Sequence, residues 1–354
     1  MHRVLKRSEV RYVELTQRKQ KILGTLIEGY IEQGEPIGSK ALLQQAQLDV
    51  SSATVRNELY DLVNRGYLLQ PHTSAGRIPT HKGYRYYVDH LVKPVPLDDR
   101  IKEHIRRVIQ SGAQAPEKIL SKCAQVLSEL SSMAAVATTP STIDARVHKI
   151  RFVITGRHTC MAVLITSNGM VKNRLFRCDF VLTPQIVSMF DKAINDYFVG
   201  LPLKEINQAF LQTVAAAFGE LSLFMPDVLL AVMDSAKQAM QTSVMVSGST
   251  NLLFLPEYDM ANARNVLKFL NNSENVSSLL NENVKGTKVF IGKDSGYYEL
   301  YDSSVITTRY DIGSVAAGAI ALIGPLRADY KTLISMIEYA SSYASELISE
   351  LLEI

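Results

Sequence analysis

The sequence predicts an α+β protein with several domains, and three observations support that class. Residues 16–91 combine helical periodicity with a short hairpin, residues 149–179 have the pattern of a three-stranded meander, and residues 305–323 have that of a second hairpin. Strand-rich and helix-rich stretches are thus segregated along the chain, which is typical of α+β folds. A chain of 354 residues is long enough for two or three separate cores.

The first element is an amphipathic helix over Thr16 to Gln33. Gly34 and Pro36 end it, because glycine accepts the left-handed conformation of a helix end and proline cannot continue a helix. Its apolar positions recur at helical spacing and are Ile22, Leu23, Leu26, Ile27, Tyr30 and Ile31. We expect this helix to pack beneath the helices that follow it.

Two short helices joined by a polar turn come next. Ser39 is the candidate cap of a helix over Lys40 to Ala46, and Ser51 or Ser52 of a second helix, since serine hydroxyls accept from unpaired first-turn amides. The inward stripe of the second helix is Val55, Leu59, Leu62 and Val63, and its outward face is Ala53, Thr54, Asn57, Tyr60 and Asn64, flanked by Arg56. Small and hydrogen-bonding side chains near the start of a second helix are typical of the helix that helix-turn-helix proteins place in the major groove.

Gly66 ends that helix and a hairpin with a basic tip follows. Tyr67 to Gln70 form the first strand, His72 to Arg77 the tip, and Ile78-Pro79 the return, which together have the pattern of the wing of a winged helix. Gly76 would let the backbone approach a phosphate, and Arg77 could neutralise that phosphate or enter a minor groove. The same pattern also occurs in winged-helix adaptor domains that bind no DNA, so periodicity alone leaves both interpretations open.

A further helix, Thr80 to Leu91, leads to the first linker. Its tyrosines Tyr84 and Tyr87 fall at buried-face spacing, which favours core packing over base stacking. Lys93-Pro94-Val95-Pro96 is extended and semi-rigid, so the sequence predicts a domain boundary there. Helices over Leu97 to Leu130, broken near Gly112 to Pro116, and a strand over Met133 to Thr138 follow.

The strongest β pattern lies at residues 149–179. KIRFVITG, CMAVLITS and MVKNRLFRC are three strands, and Asn168-Gly169 between the last two is a strong hairpin signal. Helical patterns follow over Gln185 to Phe198, Leu203 to Phe218 and Pro226 to Thr242. The C-terminal part then predicts strands at Val244 to Ser247, Lys288 to Gly292, Val305 to Tyr310 and Val315 to Ile323, and helices at Asp259 to Asn271 and Asp329 to Leu352.

Charge is distributed unevenly along the chain. Residues 1–94 carry 14 Lys and Arg against 9 Asp and Glu, a net of +5, and the remainder carries a net of −2. The basic excess coincides with the part that predicts DNA binding, as phosphate contacts require. Residues 1–14 form a basic arm that we expect to be a frayed, solvated end.

Composition also excludes several classes of protein. Cys123, Cys160 and Cys178 make neither a CxxC pair nor a disulfide framework, which fits a reducing compartment. The longest apolar run is too short for a bilayer and the N-terminus lacks a signal-peptide pattern, so a soluble cytoplasmic protein without membrane association is expected. The sequence has no catalytic, zinc or nucleotide-binding motif, so neither an enzyme nor a resident cofactor or metal is predicted.

Several segments resemble one family of regulators. GEPIGSKAL, VSSATVRNEL and GYLLQPHTSAGRIPTHKGYRYYVD are similar to the N-terminal signature of the HrcA family, the repressors of bacterial heat-shock operons. SGSTNLL at 247–253 and IGPLRADY at 323–330 resemble further segments of that family. The resemblance runs from about Leu15 to the C-terminus.

The resemblance implies an architecture and a function that periodicity does not provide. It implies a winged-helix DNA-binding domain over residues 1–94, a GAF-like domain over 97–147 and 244–354, and an inserted dimerisation domain over 148–243. It also implies a homodimer that binds an inverted-repeat (CIRCE-type) operator in double-stranded DNA upstream of groE- and dnaK-type operons, kept active by the GroEL chaperonin. The predicted DNA-contacting residues are Ser51, Ser52, Thr54, Arg56, Asn57, Tyr60, His72, Ser74, Gly76 and Arg77. The alternative is a winged-helix regulator whose GAF-like domain senses a metabolite, since GAF-like folds elsewhere hold small ligands.

Overall fold

The computed structural model describes residues 15–47, 50–140, 145–218, 225–280, 286–313 and 315–353. Its described residues form both helices and antiparallel sheets, so the predicted mixture of helix and sheet is confirmed. The basic arm at residues 1–14 lies outside the described residues.

The N-terminal part contains four helices and a short two-stranded hairpin. These are α1 Gln17–Gln33, α2 Ser39–Ala46, α3 Ser52–Asn64, β1 Leu68–Leu69, β2 Ile78–Pro79 and α4 His81–His90. Thr16 caps α1 by accepting from the amide of Lys19, and Gly34 ends it at φ 75°. The order of helices and hairpin is as predicted, although the first strand is only two residues long.

The cap predicted for α2 is wrong. Ser39 is the first residue of the helix, the capping position belongs to Gly38, and no side chain caps that end. Gly38 has extended backbone angles that any residue can adopt, and it follows Ile37, a buried residue. Ile37 is held there by backbone hydrogen bonds to Arg77 in both directions, of 3.0 and 2.9 Å.

The middle of the fold is a five-stranded antiparallel sheet. Its strands are β3 Ala134–Thr138, β7 Val244–Ser247, β8 Lys288–Ile291, β9 Ser303–Ile312 and β10 Val315–Pro325. They pair in the order β7-β3-β10-β9-β8. Its helices are α5 Asp99–Gln110, α6 Pro116–Ser131, α10 Met260–Leu270, α11 Ser273–Leu280 and α12 Tyr330–Leu351. The sheet joins strands more than one hundred residues apart, since β3 lies between β7 and β10. Short helix α11 was not predicted from the sequence.

Side chains alternate between the two faces of this sheet. In β10, Ile320 and Leu322 join the core of α5, α6 and α12, while Ala321 and Ile323 join the core of α10 and α11. The first of these cores continues without a break into the N-terminal part, through Tyr84, Tyr87 and the buried residues of α1. The tyrosines predicted to be core residues are therefore confirmed as buried.

A smaller sheet lies between β3 and β7 in the chain. Its elements are β4 Val147–Ile154, β5 Thr159–Thr166, β6 Val171–Arg177, α7 Pro184–Phe198, α8 Gln208–Ala217 and α9 Pro226–Met240. The strands pair antiparallel in the order β4-β5-β6, which confirms the predicted meander. Their buried side chains and those of α7, α8 and α9 form a hydrophobic core separate from the other two.

The helix predicted to start at Leu203 begins five residues later. Leu203–Glu205 form a short 3₁₀ turn, and Asn207 then caps α8 by accepting from the amide of Phe210 over 3.0 Å. The apolar residue Leu203 is buried, so its helix-like spacing reflects core packing of the turn. Asparagine is favoured at the capping position, because its side chain supplies the acceptor that the first-turn amides lack.

Candidate nucleic-acid interface

Helix α3 presents one apolar stripe to the core and one polar face to solvent. Val55, Leu59 and Leu62 are buried against α1 and α2. Ser51 caps the helix, since its Oγ accepts from the amide of Thr54 over 3.1 Å and lies 3.0 Å from the Thr54 hydroxyl. Of the two serines proposed as caps, Ser51 is therefore the one that acts, and Ser52 is the first helical residue.

The middle of the outward face of α3 carries side chains that point to solvent. The side chains of Arg56 and Asn57 are exposed and make no hydrogen bond or ion pair with any residue that the structure describes, and the Tyr60 side chain is 65% exposed. An exposed tyrosine beside an arginine and an asparagine offers donors, an acceptor and an aromatic surface on one face of a helix. Ser52 and Thr54 are half-buried at its start.

Two acidic residues on the flank of α3 are neutralised by neighbouring cations. Lys19 of α1 lies 3.0 Å from the carboxylate of Glu58 and 3.1 Å from that of Asp61. Arg65 lies 2.8 Å from Asp61, and the cations of Arg65 and then Lys19 lower the pKa of Asp61 below its ordinary value. Because these carboxylates are paired within the protein, they oppose an approaching phosphate backbone less than free carboxylates would.

The hairpin after α3 holds an exposed tip. Gly66 has φ 75° and ends α3 as predicted, and β1 then pairs with β2. The Gln70 side-chain amide donates to the carbonyls of Thr73 and Ala75, at 2.8 and 3.2 Å, and so braces the tip from inside. His72 and Ser74 are exposed on it.

Gly76 and Arg77 contact the protein's own backbone. A Cβ built on Gly76 would lie 2.5 Å from both the Pro36 carbonyl oxygen and the Ile37 carbonyl carbon, so no larger residue fits there. Arg77 is half-buried, and its Nη1 donates to the Ala75 carbonyl over 3.1 Å. The glycine is thus required by the contact between the hairpin and the start of α2, and its predicted approach to a phosphate remains a prediction.

Gly76→Ala is expected to lower the melting temperature and to lower the free energy of unfolding by about 1–3 kcal/mol, the usual cost of forcing extra atoms into a filled space. Differential scanning calorimetry measures both quantities. Gly38→Ala is the matched control, because a Cβ on Gly38 meets no atom within 4 Å. Equal melting temperatures for the two variants would show that the hairpin does not depend on this contact.

Lys40 was not singled out by sequence reasoning. It is exposed in the first turn of α2 and has no hydrogen bond or ion pair within the described ranges. The Ile37–Arg77 bridge brings this turn beside the hairpin, and helix-turn-helix proteins lay their first helix across the DNA backbone. The sequence signal for this residue is a lysine in the first turn of the helix that precedes α3, within the segment GSK.

Two of the cysteine thiols are buried and have raised pKa values. Burial raises the pKa of the Cys123 thiol to about 12 and that of Cys178 to about 11, so these thiols are poor nucleophiles at neutral pH. Among the described residues, no group of three or more His, Cys, Asp or Glu side chains could hold a metal ion, and no helix is long and apolar enough to cross a membrane.

An open cleft of about 640 Å³ lies between α6 and the segment that follows β7. Ser128 and Asn251 meet at its floor, where the Asn251 Nδ2 donates to the Ser128 Oγ over 3.2 Å. Gly248 stands beside this pair at φ 65°, and a Cβ there would overlap the Ser128 hydroxyl. Phe254 is on the rim and is 84% exposed.

Comparison with known proteins gives consistent results over nearly the whole chain. The model of the family described as "HrcA protein C terminal domain" matches residues 117–334. The heat-inducible transcription repressor HrcA of Lysinibacillus sphaericus is 33% identical over 92% of this chain and 95% of its own length. The protein of the same name from Lactobacillus gasseri is 33% identical over 96% of this chain and 98% of its own.

One solved structure has a similar fold. The crystal structure of a hypothetical protein at 2.2 Å resolution aligns with 96% of this chain and 100% of its own, at a TM-score of 0.62 and 23% sequence identity. That similarity supports the fold alone. With a family model that matches more than half of the chain and relatives that align from end to end, the chain belongs to the HrcA family of heat-inducible transcription repressors.

Proposed function

We propose that the chain acts as a homodimer that represses chaperone operons of the groE and dnaK type by binding an inverted-repeat operator. The observation that carries this proposal is the exposed, unpartnered face of α3 beside the braced hairpin. The test is a footprint on DNA upstream of this organism's chaperonin operon. Protection of an inverted repeat supports the proposal, and protection no stronger than on random duplex refutes it.

In the proposed complex, the start of α3 enters the major groove and the hairpin contacts the flanking backbone or minor groove. Arg56 and Asn57 are then the candidates for base edges, because arginine pairs with guanine and asparagine with adenine through two hydrogen bonds. The remaining contacts would fall on phosphates and set the register. The proposed contact residues are Ser51, Ser52, Thr54, Arg56, Asn57, Tyr60, His72, Ser74, Gly76 and Arg77.

Arg77→Ala is expected to reduce the slope of log affinity against log salt concentration by about one unit, because one phosphate contact is lost. Fluorescence anisotropy on one operator duplex across a salt series measures that slope. Lys237→Ala is the control, since Lys237 is on α9, far along the chain from the reading helix. An unchanged slope for Arg77→Ala would remove Arg77 from the phosphate contacts.

The homodimer is proposed to form through the outer face of the β4-β5-β6 sheet. On the inner face α9 packs against β5 and β6 and α7 packs against β4, and Asn195 and Asp191 of α7 hydrogen-bond to the backbone of β4. The outer face carries six apolar side chains that are exposed or half-buried: Val153, Met161, Val163, Ile165, Val171 and Leu175. An apolar sheet face of this kind is suited to a second copy of the chain.

The division into domains is part of the proposal. The separate core of residues 145–239 supports an inserted unit over about 148–243 that carries the dimer contact. The five-stranded sheet and its helices would then be the GAF-like domain over 97–147 and 244–354. The winged-helix domain would be residues 1–94, although its core is continuous with that of α5, α6 and α12.

Control by the GroEL chaperonin is proposed from family resemblance. If the chaperonin keeps the repressor in its active state, unfolded protein that occupies the chaperonin weakens repression. Repeating the footprint with repressor refolded in the presence and absence of GroEL tests this step. The same active fraction of repressor in both samples would contradict it.

The open cleft beside Asn251 favours a second candidate, a regulator gated by a metabolite. The cleft is large enough for a small molecule and has both hydroxyl and amide groups on its wall. A saturable rise in melting temperature with one metabolite, lost in Asn251→Ala, would support this candidate. No saturable shift across a metabolite set would leave the ungated repressor.

A further inference from the structure

The N-terminal part, α1 to α4, and the five-stranded sheet with its helices, which we call the body, are joined by several polar contacts. One is the ion pair between Lys331 Nζ and Glu28 Oε1 over 2.5 Å, and two others are clusters centred on an arginine. The first, which we call the α1 clamp, consists of Arg327 with Ile31 and Glu257. The second, the α4 clamp, consists of Arg85 with Val289 and Asp294. In each clamp the guanidinium of one arginine binds a backbone carbonyl and a carboxylate. Arg327 belongs to the body and reaches across to the Ile31 carbonyl of α1, whereas Arg85 belongs to α4 and reaches across to Val289 and Asp294 of the body.

The α1 clamp holds the C-terminal end of α1. Arg327 Nη1 donates to the Ile31 carbonyl over 2.7 Å, and its Nε donates to Glu257 Oε1 over 2.7 Å. The Ile31 carbonyl is one of the four that a helix leaves unpaired at this end, where the helix dipole also favours a cation. A Cβ on Gly34 would lie 3.6 Å from the Arg327 guanidinium carbon, so the arginine lies directly over the helix end.

The α4 clamp holds the edge of the sheet. Arg85 Nη1 donates to the carbonyl of Val289 in edge strand β8 and lies 3.2 Å from Asp294 Oδ2. Its Nε donates to Asp89 on the same helix over 2.9 Å, which fixes the guanidinium in place. The clamp therefore ties α4 to edge strand β8.

Buried tyrosines fill the space near the two clamps. The ring of Tyr330 lies 6.2 Å from that of Tyr84 and 6.4 Å from that of Tyr87, between centroids, and all three side chains are buried. Because the two clamps and the packed tyrosines hold the N-terminal part at separate points, they resist its rotation relative to the body more than a single contact would. The outward face of α3 remains exposed in this arrangement, so docking onto the body leaves the reading surface open.

We propose that the two clamps fix the distance and angle between the two reading helices of a dimer, so that Arg327 and Arg85 set the half-site spacing the protein accepts. This inference rests on the proposed homodimer on an inverted repeat. Adding two base pairs to the spacer rotates one half-site by about 70° relative to the other, since B-DNA turns once in 10–10.5 base pairs. Two α3 helices that are held rigidly in the dimer cannot follow that rotation, whereas two α3 helices that are held loosely can.

The experiment compares the full-length wild type with Arg327→Ala on four duplexes. Three carry an inverted repeat that the wild type selects from random duplexes, with the selected spacer and with two base pairs removed or added. The fourth carries a single half-site. The control is Arg264→Ala, which removes an exposed arginine from α10 that has no hydrogen bond or ion pair within the described part of the chain.

The wild type and Arg264→Ala are expected to prefer the selected spacer by at least about tenfold, because a misplaced reader forfeits its base contacts. Arg327→Ala is expected to reduce that preference to about threefold or less while its affinity for the single half-site stays within about twofold. If calorimetry shows that Arg327→Ala is unfolded, Arg327→Lys is used, because lysine keeps the charge but cannot bind both partners with a fixed fork.

An unchanged spacer profile in a folded Arg327 variant would overturn the inference. Tighter binding of the Arg327 variant to the selected operator would also overturn the inference, since the clamp would then hold the two α3 helices away from DNA. Equal affinity of the wild type for the inverted repeat and the single half-site would instead contradict the proposed dimeric operator. The two failures are therefore distinguishable in one set of titrations.

Discussion

Asn57→Ala is expected to weaken binding to the operator by about 1–3 kcal/mol, the contribution of a bidentate contact to a base edge. Asn57 is exposed near the start of α3 and forms no hydrogen bond within the described ranges, so its removal leaves the fold unchanged. Competition titrations between operator and scrambled duplex measure the loss of discrimination. Binding to scrambled duplex, which depends on phosphate contacts, is expected to change little.

Asn64→Ala is the matched control for this experiment. Asn64 is exposed at the other end of the same helix, away from the residues that a recognition helix presents to bases. We expect Arg56→Ala to resemble Asn57→Ala and to relax specificity at a different base pair. If both variants discriminate as well as the wild type does, α3 is not the reading helix.

Leu175→Arg is expected to convert the dimer into a monomer and to lower operator affinity by at least about a hundredfold. The reason is that a monomer binds one half-site through a single α3 helix, without the second half-site that a dimer also binds. Leu175 is 58% exposed on the outer face of β6, so the arginine reaches solvent in a monomer but is buried without a partner charge in the proposed dimer. Light scattering coupled to size exclusion reports the mass, and anisotropy reports the affinity.

Leu230→Arg is the control for the dimer experiment. Leu230 is 50% exposed on α9, on the opposite side of the same small sheet. The two variants make the same chemical change at similar exposure, so only the position differs. A dimer in both variants would mean that the outer face of the sheet is not the interface, and a monomer in both would place the interface on both sides or indicate unfolding.

The elements of the reading surface were predictable from short stretches of sequence. The apolar stripe of α3, a serine cap at Ser51 or Ser52, the end at Gly66 and the hairpin follow from interactions between residues a few positions apart. The structure then shows that Ser51 is the cap. Resemblance then identified the family, because the hairpin motif is long enough to be specific. The cap of α2 was predicted wrongly, because the helix begins at Ser39 itself and Gly38 takes the capping position without a side-chain hydrogen bond.

The features that depend on distant residues could not be predicted in the same way. Sequence patterns identified β3 and β7 as strands but not as neighbours, although they are hydrogen-bonded over four residue pairs. Helix α11 was missed, because its eight residues give too short a periodic pattern to stand out from a loop. The cleft beside Asn251 also depends on the pairing of β3 with β7, since α6 and the segment after β7 meet only in the folded chain.

The sequence by itself determined most of the helices and strands, which face of α3 is polar, and which family the chain resembles. The tertiary structure alone decided why Gly76 must be a glycine and which helix end Arg327 binds. The physical reason is one of range. Caps, turns and apolar stripes are interactions within one or two turns of the backbone, whereas the partners of Gly76 and Arg327 are chosen by the packing of the whole chain into its cores.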